Sequence, residues 1–379
     1  MLKYDFIILG SGAAGLSLLM RMIVSGHFTQ KRILLIDKEA KNKNDRTWCY
    51  WEKDKGFFEA IVFKRWESLF FHSDSFSQEL DIWPYQYKMI RGIDFYTYCF
   101  DIINRQKNID IRYGEINAVA CNKNGTSIYL DGEELVCAPA TVFNSLNNPS
   151  NIVQGNLNLL QHFKGWFIES ATDQFNMDQA ILMDFRVHQR YGTSFIYVLP
   201  VTNKKALVEY TLFTPQTLNA QQYKTELENY INHFLKITNY SITEEEFGII
   251  PMSNARFKFY ENGMYNIGIA GGQTKASTGY TFQFIQKQSW KIVNCLIQNK
   301  PFSSVPVSSK RFQFYDNVLL QLLISQQLSG KEIFTRLFQK NRAQRIFKFL
   351  DNESSLGEEL LLISKLQTIP FLKAALKQF

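Results

Sequence analysis

Two carboxylates stand in segments that are otherwise apolar: Glu209 in Ala206-Leu207-Val208-Glu209-Tyr210-Thr211-Leu212-Phe213, and Asp184 in Ala180-Ile181-Leu182-Met183-Asp184-Phe185-Arg186. A carboxyl group among such neighbours loses solvation, its pKa rises, and it becomes able to donate a proton. A strand that alternates can equally turn a lone acid to solvent, and residue chemistry leaves both readings open. Aromatic residues cluster in the same way, as Trp48, Tyr50 and Trp51 in one run and Phe195 and Tyr197 in another. Such rings can wall a bound molecule or simply fill a core. The histidines (27, 72, 162, 188 and 233) show no ligand spacing and the five cysteines form no CxxC, so metal chemistry is not expected.

A different chemistry is written at residues 10 to 15, Gly10-Ser11-Gly12-Ala13-Ala14-Gly15, between the apolar run Tyr4 to Leu9 and a helical pattern. Glycines here let the backbone approach a pyrophosphate, and the helix N-terminus supplies N–H donors and partial positive charge. A second apolar run, Ile33-Leu34-Leu35-Ile36, ends in Asp37, which lies 22 residues beyond Gly15, where ribose hydroxyls call for a carboxylate. Lys38, Arg46 and Arg91 join the candidate cofactor-binding set, Arg91 equally readable as a surface charge. A second Gly-rich turn follows Ile267, and its Gly271, Gly272, Thr278 and Gly279 precede another helix. Two such turns bracketing a sheet domain point to FAD rather than a smaller ligand. With no second complete GxGxxG, a dedicated nicotinamide domain is not expected.

The elements that must position these groups follow from the pattern. The expected fold is α/β: a Rossmann-like FAD-binding domain of the glutathione-reductase type, an antiparallel substrate sheet and a C-terminal helical segment. Residues 1–63, 88–150 and 247–300 are assigned to the FAD-binding domain, 64–87 and 151–246 to the sheet, and 301–379 to the helices. Asp94 reads as the N-cap of a helix to about Gln106, and Asn144 to Pro149 as a loop leaving the first domain. Strands are expected at 165–170, 180–186, 194–199 and 206–213, then a helix from about Asn219 to Lys236 and a polar stretch to Glu246.

With 379 residues and 45% hydrophobic side chains the chain can build two cores sharing a cleft. Scattered, odd-numbered cysteines fit a reducing cytoplasm, no secretory signal is visible, and no window approaches the ~18 apolar residues of a membrane span. The formal charge of +7 matters through its distribution: between Lys310 and Lys348 eight Lys/Arg face two acids. Such helices can dock on an anionic membrane surface or simply be solvated. No nucleic-acid recognition module is present.

With these pieces in place the chain resembles the flavoprotein lycopene cyclases of bacteria and plants over nearly its whole length. The resemblance is carried by the nucleotide turn with Ile33 to Asp37, by Arg46-Thr47-Trp48, by the Met183-Asp184 segment, by Phe195 to Phe213 and by Gly271 to Tyr280. It departs where the family has an acidic pair and this chain has Glu209-Tyr210, and where Lys275-Ala276 replaces His-Pro. The resemblance implies a non-redox cyclisation of lycopene or a related linear carotenoid to β-rings (γ- and β-carotene), an isomerase-type reaction with reduced FAD and with NAD(P)H as electron source. Glu209 is then the acid, with Asp184 as second carboxylate or as the group orienting it, and Trp48, Trp51, Phe195 and Tyr197 line the substrate. A cytoplasmic enzyme on the inner face of the membrane, able to contact other carotenoid enzymes, is the expected setting. The rival readings are an FAD-dependent monooxygenase or polyprenyl reductase, and a carotenoid-binding flavoprotein without catalysis.

Overall fold

The computed structural model describes residues 1–146, 157–302, 305, 309–366 and 368–378; positions 147–149 of the expected interdomain loop lie outside them. The chain opens with β1 (Phe6–Leu9), α1 (Ala13–Ser25) and β2 (Ile33–Asp37), then runs through β3 (Thr47–Glu52), β4 (Lys64–Trp66), β5 (Ser68–Ser73), β6 (Phe76–Asp81) and β7 (Gln86–Arg91). It returns by α2 (Gly92–Ile103) and β8 (Ile109–Tyr113), puts out the meander β9 (Ile116–Asn122), β10 (Gly125–Leu130) and β11 (Glu133–Cys137), and re-enters at β12 (Thr141–Asn144). Next come β13 (Asn158–Ser170), β14 (Gln179–Asp184), β15 (Thr193–Pro200), β16 (Lys205–Thr214), α3 (Ala220–Tyr230), β17 (Tyr240–Ser253), β18 (Tyr260–Glu261), β19 (Met264–Asn266) and α4 (Phe282–Ile297). Five helices complete the described chain: α5 (Lys310–Ser325), α6 (Gly330–Lys340), α7 (Ala343–Leu350), α8 (Leu356–Ile363) and α9 (Thr368–Leu376).

A six-stranded sheet, ordered β18-β19-β12-β1-β2-β8, forms the first domain. Its central pairs β12-β1-β2-β8 are parallel. Strands β1 and β2 are buried on both faces, which is why they read as unbroken apolar runs and not as alternating ones. Helix α1 lays Leu16, Leu19 and Met20 on this sheet and ends at Gly26, whose φ of 71° only glycine adopts without strain.

The second sheet has seven strands, ordered β17-β13-β16-β15-β14-β5-β6, and is antiparallel except where β5 runs beside β14. Its two faces are covered by different elements. Helix α3, started by an Asn219/Gln222 capping box, puts Tyr223, Leu227 and Tyr230 against Trp166, Val208, Tyr210 and Leu212. On the opposite face α6 and α7 bring Phe334, Phe338 and Phe347 into one core with Trp51, Phe71, Phe185 and Phe195. A small sheet, β3-β7-β4, connects the two domains.

Several expected boundaries move. The polar stretch to Glu246 is the first half of β17, which pairs with β13 from Tyr240 to Ser253 and so carries the second sheet past the expected break at 246/247. Its charged residues hide an edge strand, where one face stays open to water. Helix α2 begins at Gly92, so Asp94 sits in its first turn, where its carboxylate holds the Arg91 guanidinium at 2.6 and 2.8 Å instead of capping. The sheet strand expected from Gly165 starts at Asn158.

Candidate functional site

The nucleotide turn is tight where it must be and open where a ligand would lie. A Cβ on Gly15 would stand 1.9 Å from the Gly10 carbonyl oxygen, and one on Gly10, at φ +93°, would strike Ser145 Oγ at 2.3 Å, whereas one on Gly12 would meet nothing within 4 Å. Helix α1 starts without a side-chain cap and without an acid in its first turn, so its N–H groups face that open space. Asp37 Oδ2 accepts the Ser11 backbone N–H at 2.6 Å and its hydroxyl at 2.8 Å, and Lys41 lies 3.1 Å from the other oxygen. Burial pushes the Asp37 carboxyl up, but these donors outweigh it and hold it below its ordinary value.

The second Gly-rich turn comes back to the first: a Cβ on Gly268 would sit 2.5 Å from the Ala14 Cβ. Helix α4 also begins uncapped and without a first-turn acid, and the buried Thr278 hydroxyl has no partner among the described residues. Gly271, Gly272 and Gly279 are likewise crowded, Gly279 at φ +73° against Gln161. An uncapped helix start touched by the second turn, a further uncapped start after that turn and an orphaned hydroxyl within it fit a long dinucleotide. The expected cations are otherwise engaged: Arg46 with Asp45, Arg91 with Asp94 and the Phe63 ring, while Lys38 is exposed.

The acidic centre lies on the face of the second sheet that meets the small sheet and the C-terminal helices. Tyr197 is the register partner of Glu209 on β15, and Gly165 is its partner on β13. Gly165 also pairs with Glu246 of β17 on its other side. A Cβ on Gly165 would lie 2.9 Å from Glu246 Cγ and 2.9 Å from Leu207 Cδ1. Because glycine leaves that gap, two carboxyl groups from strands that are not neighbours reach each other above it and form a hydrogen bond. Burial first, and then the Glu246 charge, push Glu209 well above the carboxylate range, against the Thr211 hydroxyl that donates to it at 2.9 Å. Burial also raises Glu246, but the Thr47 hydroxyl at 2.8 Å and the bond from Glu209 oppose this. Both carboxyl groups are thus raised, Glu209 the further, so the pair is set to hold a proton between them.

Around the pair, burial pushes the Tyr197 and Tyr280 phenols, together with Tyr87 and the Cys49 thiol, upward, so all are neutral. Trp51 stacks on Phe347 at 4.4 Å, meets Tyr280 edge-on at 4.6 Å and donates its indole N–H to Asp351 at 2.8 Å.

Trp51, Phe195 and Tyr197 thus share one core with this face, whereas Trp48 packs in the first domain against Phe95, Tyr96 and Phe282. Trp48 is three positions from Trp51 on the same strand, and the two-residue period sends it to the other side. Asp184 is also placed elsewhere. It points toward α3, is fully buried, and is held by Arg186 at 2.6 Å and by the Tyr230 hydroxyl at 2.7 Å. It is therefore neither a second carboxylate at the site nor a group that orients Glu209. Tyr210 faces α3 for the same reason of parity. Sequence reasoning missed Glu246, Gly165, Thr47 and Tyr280. The signal for the first two was a glutamate run within one strand of a sheet whose neighbouring strand carries a glycine.

A parallel nucleotide-type sheet joined to a large, mainly antiparallel sheet defines the class, an FAD-dependent oxidoreductase or monooxygenase type of flavoprotein fold. Solved structures with this fold include a flavoprotein/dehydrogenase from Cytophaga hutchinsonii (14% identity, 99% of each chain covered, TM-score 0.64) and the flavin-dependent brominase Bmp2 (12% identity, 99% of each chain, TM-score 0.64). A geranylgeranyl bacteriochlorophyll reductase-like protein from Thermoplasma acidophilum is similar over 100% of this chain and 97% of its own (12% identity, TM-score 0.60). No curated protein matches the sequence. The chain belongs to the lycopene cyclase family, whose model, described as lycopene cyclase protein, matches residues 5–376.

Proposed function

We propose that the protein cyclises the ends of a linear carotenoid of the lycopene type to β-rings, with no net redox change. The observation that supports this most strongly is the facing of Glu209 and Glu246 across Gly165, at a face lined by Trp51, Tyr197 and Tyr280. Glu209 gives its proton to C2 of the terminal double bond, leaving a cation at C1. The C5=C6 bond attacks C1, and the resulting C5 cation loses its C6 proton. That proton returns to the carboxylate pair, so protons balance over the cycle.

Once Glu209 has donated, two carboxylates face the cation. At an effective dielectric of ~20, opposite charges ~4 Å apart attract by roughly 4 kcal/mol. The aromatic faces of Trp51 and Tyr197 add cation–π attraction of about 0.5 to 2 kcal/mol each and exclude water that would trap the cation. FAD in reduced form, held by the Gly10 to Gly15 turn, Asp37 and the Gly271 to Gly279 turn, supplies further fixed negative charge when bound. NAD(P)H is the proposed reductant.

The test is coexpression with a lycopene-producing pathway, followed by anaerobic assay of the purified holoprotein. Cyclised product without oxygen and without stoichiometric reductant use is expected, and Glu209→Gln should lower the rate by about 10²- to 10⁴-fold. Undiminished product from that variant, or one reductant consumed per product, overturns the reading.

A further inference from the structure

Of the eight basic residues between Lys310 and Lys348, three are neutralised within the protein: Arg311 by Glu359, Lys331 by Asp74 and Lys348 by Glu358. Three others gather where α6 gives way to α7. Lys340 ends α6, Arg342 stands at the N-terminus of α7 without a side-chain cap, and Arg345 follows one turn on. Lys365, just beyond α8, swings its ammonium to the Lys340 carbonyl at 3.0 Å and completes the wall of a cavity of about 570 Å³. None of these four cations is paired with a carboxylate among the described residues. Cations crowded in this way repel one another unless an anion joins them.

The surroundings favour an amphiphile. Helix α8, which leads into Lys365, exposes Leu356, Leu360 and Leu361, and α9 beyond it exposes Ile369, Leu372 and Leu376. On the other side, Trp83 is 78% exposed and its carbonyl is tied to Gln344 of α7 at 3.0 Å. Leucines, an indole and unpaired cations side by side are the composition of a surface lying in a bilayer interface.

We propose that this cavity binds the phosphate of an anionic phospholipid. The phosphate lies among Arg342, Arg345, Lys340 and Lys365. The site gives the carotenoid reading a route to a bilayer substrate and rests on it only for purpose. Binding is measured without substrate, so the two can fail separately.

The experiment is cosedimentation of the holoprotein with phosphatidylcholine vesicles, with and without phosphatidylglycerol. Binding only to the mixed vesicles is expected, with a loss of roughly tenfold or more in Arg342→Gln/Arg345→Gln, a smaller loss in the exposed Lys365→Gln, and retention in Arg342→Lys/Arg345→Lys. Equal binding to neutral vesicles, or mixed-vesicle binding untouched by the glutamine pair, overturns the proposal. Inorganic phosphate is titrated in parallel against thermal stability. Weak or no stabilisation supports a lipid source, whereas saturable stabilisation lost in Arg342→Gln/Arg345→Gln without vesicle binding makes free phosphate the ligand and overturns the lipid assignment.

Discussion

The Lys275 ammonium and the Asp316 carboxylate meet at 2.8 Å with the lysine side chain wholly shut off from water. Ser277 adds a 2.6 Å bond to the same carboxylate oxygen, and Asn352 accepts from Lys275 at 2.8 Å. These bonds tie the second Gly-rich turn to α5 and to the loop after α7, at the positions where the family resemblance lapses. Breaking one partner leaves a buried charge alone, so Lys275→Met is expected to cost about 3 to 5 kcal/mol, while Lys275→Met/Asp316→Leu recovers most of it. Chemical denaturation of the three proteins checks this.

Gly165→Ala tests the gap between the acids. Its methyl would enter contacts of 2.9 Å with Glu246 and Leu207. Overpacking of this kind costs about 1 to 3 kcal/mol, and the displaced pair should lose cyclisation far beyond what the lowered melting temperature explains. Activity assayed well below that temperature separates the two effects.

Glu246→Gln removes the negative charge that helps keep Glu209 protonated, and its amide donates to a Glu209 carboxylate. Both changes lower the Glu209 pKa. Since the proton donor must be protonated, the alkaline limb of the pH–rate profile is expected to move to lower pH. A profile that keeps its limb and loses only height would assign Glu246 a different role.

The raised pKa of Glu209 also sets a stability trend. Its proton is bound more tightly in the folded chain than in the unfolded one, so its contribution is complete below the ordinary carboxylate value and is lost as pH rises toward the folded value. Glu209→Gln, always neutral, is therefore expected to melt higher than wild type at neutral pH and to match it near pH 4. Melting curves across pH decide.

Burial raises the Asp351 carboxyl to about 6, although Lys287 and the Trp51 indole oppose it. The Trp51 emission should then titrate with a midpoint near that value. The step should vanish in Asp351→Asn and in Trp51→Phe.

The nucleotide half of the molecule was legible because its elements are local: a strand, a turn and a helix within twenty residues of each other. Glu209 was legible as a candidate because its neighbours are apolar, but its orientation was not, since a strand's alternation does not say which face is covered. Asp184 shows the cost: the same apolar setting hides an acid already matched to Arg186 and Tyr230. Glu246 was concealed among three consecutive glutamates, Glu244 to Glu246, of which Glu245 is exposed and paired to Lys164. Its meeting with Glu209 depends on a strand order in which β13 lies between β16 and β17, and pairing across more than thirty residues leaves no local trace.

The core that joins Leu69 and Phe71 to Phe338 and Phe347 has a consequence for biosynthesis. On a ribosome, the strands of the second sheet emerge before α6 and α7, so one apolar face stands uncovered while the residues between Ser253 and Gly330 are made. The nascent chain thus passes through a stage at which its exposed surface is greasy enough to engage a chaperone, or the very bilayer that the finished protein is proposed to visit.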